Sequence, residues 1–161
     1  MELKFFHMNI KNKITKSDKH KAIKLEWEAL KTKNNKVRIR DAAYQLGVSE
    51  ASLLSTEINH GVEFLKIDNY DNFLSKILSI DKIMLLIRSN SVVHEKIIFT
   101  KDIKLNNNKI LDLNSNCSIL EYNPNLFQYV LSQNKLHANK TLRSFQFFDQ
   151  HGDAILKIYL K

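Results

Sequence analysis

The sequence predicts an α+β fold, with N-terminal helices packed on a large antiparallel β-sheet that ends in a β-hairpin. Three observations carry this expectation. Apolar residues recur at spacings of four and three in the first part of the chain, as in Ile23, Trp27 and Leu30, which marks one buried helix face. From Lys82 onward the period changes to that of strands, broken by Asn- and Ser-rich turns. Ser144 to Lys161 then reads as a hairpin around the polar turn Asp149-Gln150-His151-Gly152-Asp153. Phe145 and Phe147 share one face of its first arm, and Leu156, Ile158 and Leu160 share one face of its second. Helices first and a meander after are the order expected of an α+β domain.

Taken in order, residues 1–16 read as a flexible basic arm, and residues 17–161 as a single domain. Ser17 or Asp18 can cap a helix whose body is Lys21 to Lys33, and the Asn34-Asn35 pair ends it. A second helix is expected from Ile39 to Leu46, with Ala42, Ala43 and Leu46 inward and Gly47 as its C-cap. Ser49 caps a third, Glu50 to Ile58, with Leu53 and Leu54 buried. Val62 to Ile67 reads as a short strand and Asp71 to Ile80 as a helix. Strands follow at Lys82 to Arg88, Ser91 to Phe99, Ile103 to Leu105, Lys109 to Leu113 and Ser118 to Tyr122. Asn106-Asn107-Asn108 and Asn114-Ser115-Asn116 supply turns. Pro124 breaks the pattern, and Asn125 to Leu131 is expected as a short helix before the final hairpin.

Charge is unevenly placed. Residues 1–40 hold 12 Lys and Arg against 4 Asp and Glu, whereas residues 41–161 hold 13 of each. The whole excess of +8 therefore belongs to the N-terminal quarter. Such a segment can meet nucleic acid, an anionic membrane or an acidic cofactor, or serve only as a solvated face. The single cysteine, Cys117, excludes an internal disulfide and a Cys-rich zinc site. No apolar run is long enough to span a bilayer, and the N-terminus lacks a secretory pattern, so a cytoplasmic protein with no membrane insertion is expected.

Asp41 to Leu54 has the outline of a helix-turn-helix. A reading helix must present donors and cations to bases and phosphates. From Asp41 through Leu65 there is no Lys or Arg, while Asp41, Glu50, Glu57 and Glu63 are acidic. A duplex would be repelled, so nucleic acid is not the expected partner, and a DNA-binding regulator is the alternative reading. An interaction domain without ligand is another. None of the six histidines (His7, His20, His60, His94, His137 and His151) forms an i,i+4 pair with another, and three glycines leave no phosphate-cradling loop. His94 and Glu95 lie on an expected strand and therefore face opposite ways. His94 is the one candidate ligand. His151 sits in the hairpin turn and reads as structural.

Three stretches carry a family resemblance. They are Arg40-Asp41-Ala42-Ala43 leading into Leu46-Gly47-Val48-Ser49-Glu50-Ala51, then Arg88 to Val93-His94-Glu95, and Ser144-Phe145-Gln146-Phe147-Phe148-Asp149 with Gly152-Asp153-Ala154 and Lys157-Ile158-Tyr159. Over about Trp27 to Lys161 the chain resembles the N-terminal repeat of haem-utilisation proteins of the HemS/ChuS/HmuS type, related to the single-repeat ChuX/HutX type. The resemblance implies a haem-binding, trafficking or degradation module of bacterial haem iron utilisation. It implies haem as ligand, with His94 as the candidate contact to the haem iron. It also implies pairing, either as a homodimer or with a second repeat of the same chain. The family's distal arginine aligns with Glu121, a departure, and its proximal histidine lies beyond the residues matched.

Overall fold

A computed structural model describes residues 17–115, 117–137 and 140–161. The expected basic arm, residues 1–16, lies outside the described residues. The chain divides into two compact units that adjoin in sequence between His60 and Gly61.

The first unit is helical. Its helices are α1 (Ser17–Lys33), α2 (Ile39–Gln45) and α3 (Glu50–Ser55). Trp27, Ala42, Ala43 and Leu53 form its buried centre, with Ile23, Leu30 and Leu46 packed around them. These are the positions the helical spacing selects. Gly47 follows α2 at φ +62°, a conformation that glycine adopts without strain. Ser49 then caps α3, its side chain accepting from the Ser52 N–H at 3.1 Å. α3 is shorter than its apolar pattern suggests. Glu57 and Ile58 donate to carbonyls three residues back, at Leu54 and Ser55, so the last turn tightens and the α-helix stops. Glu57 Oε1 accepts from Trp27 Nε1 at 3.1 Å and from Lys31 Nζ at 3.0 Å. Lys31 also reaches Glu28 Oε1 at 2.7 Å and lies over the Trp27 ring. Burial works against the Lys31 charge, but its bonds to Glu28 and Glu57 outweigh it and hold the ammonium above its usual pKa.

Among the described residues the second unit holds nine strands, β1 (Val62–Leu65), β2 (Lys82–Arg88), β3 (Val93–Phe99), β4 (Ile103–Asn106), β5 (Lys109–Asp112), β6 (Cys117–Glu121), β7 (Tyr129–His137), β8 (Lys140–Phe148) and β9 (Ala154–Leu160). One helix, α4 (Tyr70–Leu78), separates β1 from β2 and is capped by the Asn69 side chain. The α+β class and the large antiparallel sheet are as expected, and a second, smaller sheet accompanies it. Six strands run in the order β1-β7-β8-β9-β2-β3, and β4-β5-β6 form a separate sheet. Every paired neighbour is antiparallel.

The final hairpin forms where its alternation places it. Asp149 Oδ1 accepts from the His151 and Asp153 N–H groups, and Gly152 takes φ +82°. Across β8 and β9, Phe145 faces Ile158 and Phe147 faces Leu156. With Ile83, Leu85 and Val130 they form the core face of the large sheet, which packs with Leu74 and Ile77 of α4, Ile110 of β5 and Tyr122. The opposite face is also buried along β8, but its buried residues include Ser144, Gln146 and Lys157.

One expected element is wrong. Asn125 to Leu131 is not a helix. Pro124–Leu126 makes a single 3₁₀ turn, and β7 begins at Tyr129. Val130 and Leu131 are both buried, one toward each face of the sheet. A central strand covered on both faces loses the alternation that marks a strand, and a short apolar run then mimics a helix.

Candidate functional site

His94 lies on β3, the edge strand of the large sheet. It pairs across the ladder with Ile87, and its imidazole is exposed. Lys96 and Ile98 share its face. Glu95 points to the other face with Val93, Ile97 and Phe99, so the sequence-based separation of His94 from Glu95 holds.

Beside Lys96 the chain forms an open recess of about 160 Å³. Lys96, Asp102, Asp112 and Asn114 give its polar wall, and Ile98 and Ile119 its apolar floor. Asp112 accepts from the N–H groups of Asn114 and Ser115 at 2.9 and 3.4 Å. These bonds, with a smaller contribution from the Lys96 charge, hold its carboxyl below the usual pKa. The recess does not include His94. Its volume is well below the roughly 300 Å³ at which sites for drug-sized ligands begin. A porphyrin does not fit it.

Glu121 ends β6 and stands opposite Lys109 of β5. The two side chains form an exposed ion pair at 3.1 Å. Glu121 therefore presents a carboxylate that a neighbouring lysine already neutralises.

The other described histidines lie on elements other than β3. His20 is on α1, half-buried, and burial followed by the nearby Lys24 charge lowers its pKa. His60 is exposed in the turn before β1, and His151 is exposed in the β8–β9 turn with its ring 3.2 Å from the Gln150 amide. His7 is outside the described residues. Among the described residues no three His, Cys, Asp or Glu side chains gather into a metal-binding group. No described helix is long and apolar enough to cross a membrane. Cys117 is exposed at the start of β6.

For haem, then, the second unit offers one exposed imidazole with an ammonium two positions along the same open strand. The recess beside them is open and holds Lys96 but not His94. That donor set does not make a complete haem site.

Two side-chain clusters escaped sequence reasoning. One is the Trp27–Glu57–Lys31 contact described above. The other joins Tyr122, Phe127, Tyr70 and Phe147, with ring centres 5.0–6.4 Å apart. Tyr122 adds a hydrogen bond to Asp71. Each is closed by contacts distant in sequence, Glu57 with Trp27 and Lys31, and Phe147 and Asp71 with the tyrosines, so the local pattern does not disclose it.

The architecture is that of an α+β protein built on a six-stranded antiparallel sheet. The model of the haemin-degrading HemS/ChuX domain matches residues 47–161, and the chain belongs to that family. The hemin transport protein HmuS of Yersinia pestis is 28% identical over 121 residues, 75% of this chain and 35% of HmuS. The structure of holo-PhuS, a heme-binding protein from Pseudomonas aeruginosa, matches with a TM-score of 0.71 at 24% identity, over 88% of this chain and 41% of PhuS. The heme-binding protein ChuX matches with a TM-score of 0.64 at 16% identity, over 83% of each chain. The chain thus spans well under half of HmuS and PhuS, and most of ChuX.

Proposed function

We propose that this chain is a haem-binding unit of bacterial haem iron utilisation, working in cytoplasmic haem trafficking or degradation. The observation that carries the reading is the family match over residues 47–161. The haem-related names of HmuS, PhuS and ChuX agree with it. In this reading residues 17–161 are one HemS-like repeat, preceded by a basic arm over residues 1–16. His94 is the residue of this unit that would contact the haem iron.

The unit works paired, with a second copy or with a second repeat of a longer chain. Two features support this. The donor set around His94 is incomplete, so other groups must enclose a haem. In addition, Val93, Ile97 and Phe99 expose 58%, 53% and 52% of their surface on one face of β3. Met84, Leu86 and Tyr159 continue that face inward and are only partly buried. Contiguous exposed apolar surface of this kind marks a contact surface.

A haemin titration of the purified chain, followed by Soret absorbance with mass measured on the same sample, tests the reading. A saturating red-shifted band at one haem per chain or per dimer is expected. No shift beyond that given by an unrelated basic protein would overturn haem binding by this chain. For the pairing, Ile97→Lys should shift a dimer mass to that of a monomer. A native chain that is monomeric with and without haemin would rule out the homodimer.

A further inference from the structure

β7 and β8 pair along their whole length, from Tyr129 opposite Phe148 to His137 opposite Lys140. Their neighbours are shorter. β1 flanks β7 only as far as Gln133, and β9 flanks β8 only from Arg143. Beyond those points the two strands leave the sheet as an unflanked ribbon. The sequence between Gln133 and Gln146 contains Lys135, Lys140 and Arg143 and no acidic residue. All three cations are exposed, and Leu136 among them exposes 73% of its surface.

The end of the sheet at the ribbon's root has the same sign. Leu160 pairs with Arg143, and the next residue, Lys161, donates its N–H to the Lys82 carbonyl. Lys82 and Lys161 therefore stand beside the ribbon. Lys82 lies over the half-exposed Phe99 ring, 5.4 Å from its centre. The acidic residues near this end are Asp81, next to Lys82, Glu63, opposite Ser132, and Asp102, beside Lys101 in the turn after β3. The opposite end of the sheet carries Asp149 and Asp153 in the hairpin turn. The second unit thus has a basic, ribbon-bearing end.

The distribution of these side chains selects the partner. By the strand alternation, Lys135 and Lys140 face one side of the ribbon, and Leu136 and Arg143 the other. A protein surface meeting one side would leave at least one of the three cations unused, and a ribbon this narrow offers little of the area that a specific protein interface needs. Nucleic acid phosphates would have no use for the exposed leucine. An end-on approach to a plane of anionic headgroups uses both sides. The cations meet phosphates, their stems reach along the interface, and the leucine enters the boundary with the acyl chains. We propose that this end of the six-stranded sheet docks reversibly on anionic phospholipid membranes through Lys135, Leu136, Lys140 and Arg143.

The test is co-sedimentation of the full chain with vesicles of phosphatidylcholine alone, or with about a third of phosphatidylserine added. Binding to the anionic vesicles only, weakening as salt is raised, is expected. Each cation at such a surface strengthens binding about fivefold. Lys135→Glu with Lys140→Glu should therefore cut binding more than twentyfold, with the far-UV spectrum unchanged. Leu136→Ser should weaken binding but keep its salt dependence. Undiminished binding by the double variant would assign the attraction to another basic segment, such as residues 1–40, and overturn the proposal. Failure of the native chain to bind anionic vesicles would overturn it as well. Retention on polyglutamate without vesicle binding would replace the membrane with an acidic protein.

Discussion

The Tyr122 hydroxyl donates a hydrogen bond to Asp71 Oδ1 at 2.9 Å, tying the residue after β6 to the first turn of α4. The contact joins the small sheet to the helix across 51 residues of sequence. It also places a polar pair at the border of an otherwise aromatic cluster. Burial first, and the Asp71 carboxylate second, push the Tyr122 hydroxyl well above its ordinary pKa.

Tyr122→Phe removes that bond while keeping the ring. A hydrogen bond to a charged group contributes about 1.5–3 kcal/mol, and partial exposure of Asp71 puts the expected loss near the lower end. The pH dependence has a definite sign. A tyrosine whose folded pKa is raised contributes stability that is complete below its unfolded value of about 10 and is lost as pH rises toward the folded value. Urea unfolding at pH 7 should show the loss. Between pH 9.5 and 11 the native chain should lose stability more steeply than Tyr122→Phe. Parallel slopes for the two proteins would refute the linkage.

The Trp27–Glu57–Lys31 contact should behave as a partly buried ion pair with a neutral donor attached. A double-mutant cycle on Lys31→Met and Glu57→Gln is expected to give a coupling of about 0.5–1 kcal/mol, weaker in high salt. Glu57→Ala should cost more than Lys31→Ala. It strands the Trp27 N–H in a half-buried site, where an unsatisfied donor costs about 1–3 kcal/mol.

Gly61 and Gly47 offer a paired test of steric cost. Both have positive φ, at +87° and +62°. A Cβ on Gly61 would sit 2.5 Å from the Asn134 carbonyl oxygen, whereas one on Gly47 would meet nothing within 4 Å. The Asn134 N–H also donates to the Gly61 carbonyl at 2.7 Å, so the two backbones cannot part without losing that bond. Gly47→Ala should cost about 1 kcal/mol from its conformation alone. Gly61→Ala should cost about 2 kcal/mol more, because backbone must shift. Equal midpoints in urea would show that the β1–β7 edge yields freely.

His94→Ala tests the haem contact directly. Since His94 is an exposed edge-strand residue, its loss should leave stability within about 0.5 kcal/mol of the native chain. If it contacts the iron, the Soret band should return to the position of free haemin or of non-specific complexes. A band identical to that of the native chain would remove His94 from the site.

The contrast between β7 and the last hairpin shows where sequence reading succeeds. The hairpin was legible because its signals are local. Asp149, Gly152 and Asp153 make the turn within five residues, and alternation of Phe145 and Phe147 marks a face. β7 was hidden because Val130 and Leu131 are buried on opposite faces, so nothing alternates. Glu121 could be placed at a strand end from periodicity and the Asn-rich turns before it. His94 could be placed on a strand but not at a sheet edge. Edge position follows from β9 pairing with β2, which joins residues around Ile83 to residues around Leu160. For the same reason the incomplete surroundings of His94 became visible only in three dimensions.

The position of β9 also dictates an order of events during folding. It follows the other described strands in sequence, yet it lies inside the sheet, between β8 and β2. The β2–β3 pair can close early by a short turn, but it remains a free hairpin until β9 arrives to bridge it to β8. Two-stranded pieces of this kind are marginal in water, and pairings so distant in sequence close slowly. While it waits, β2 offers one open edge, along Ile83, Leu85 and Ile87, to any passing strand. A nascent or nicked chain without β9 would therefore be the aggregation-prone form of this protein, and β9 acts as the key that locks its sheet.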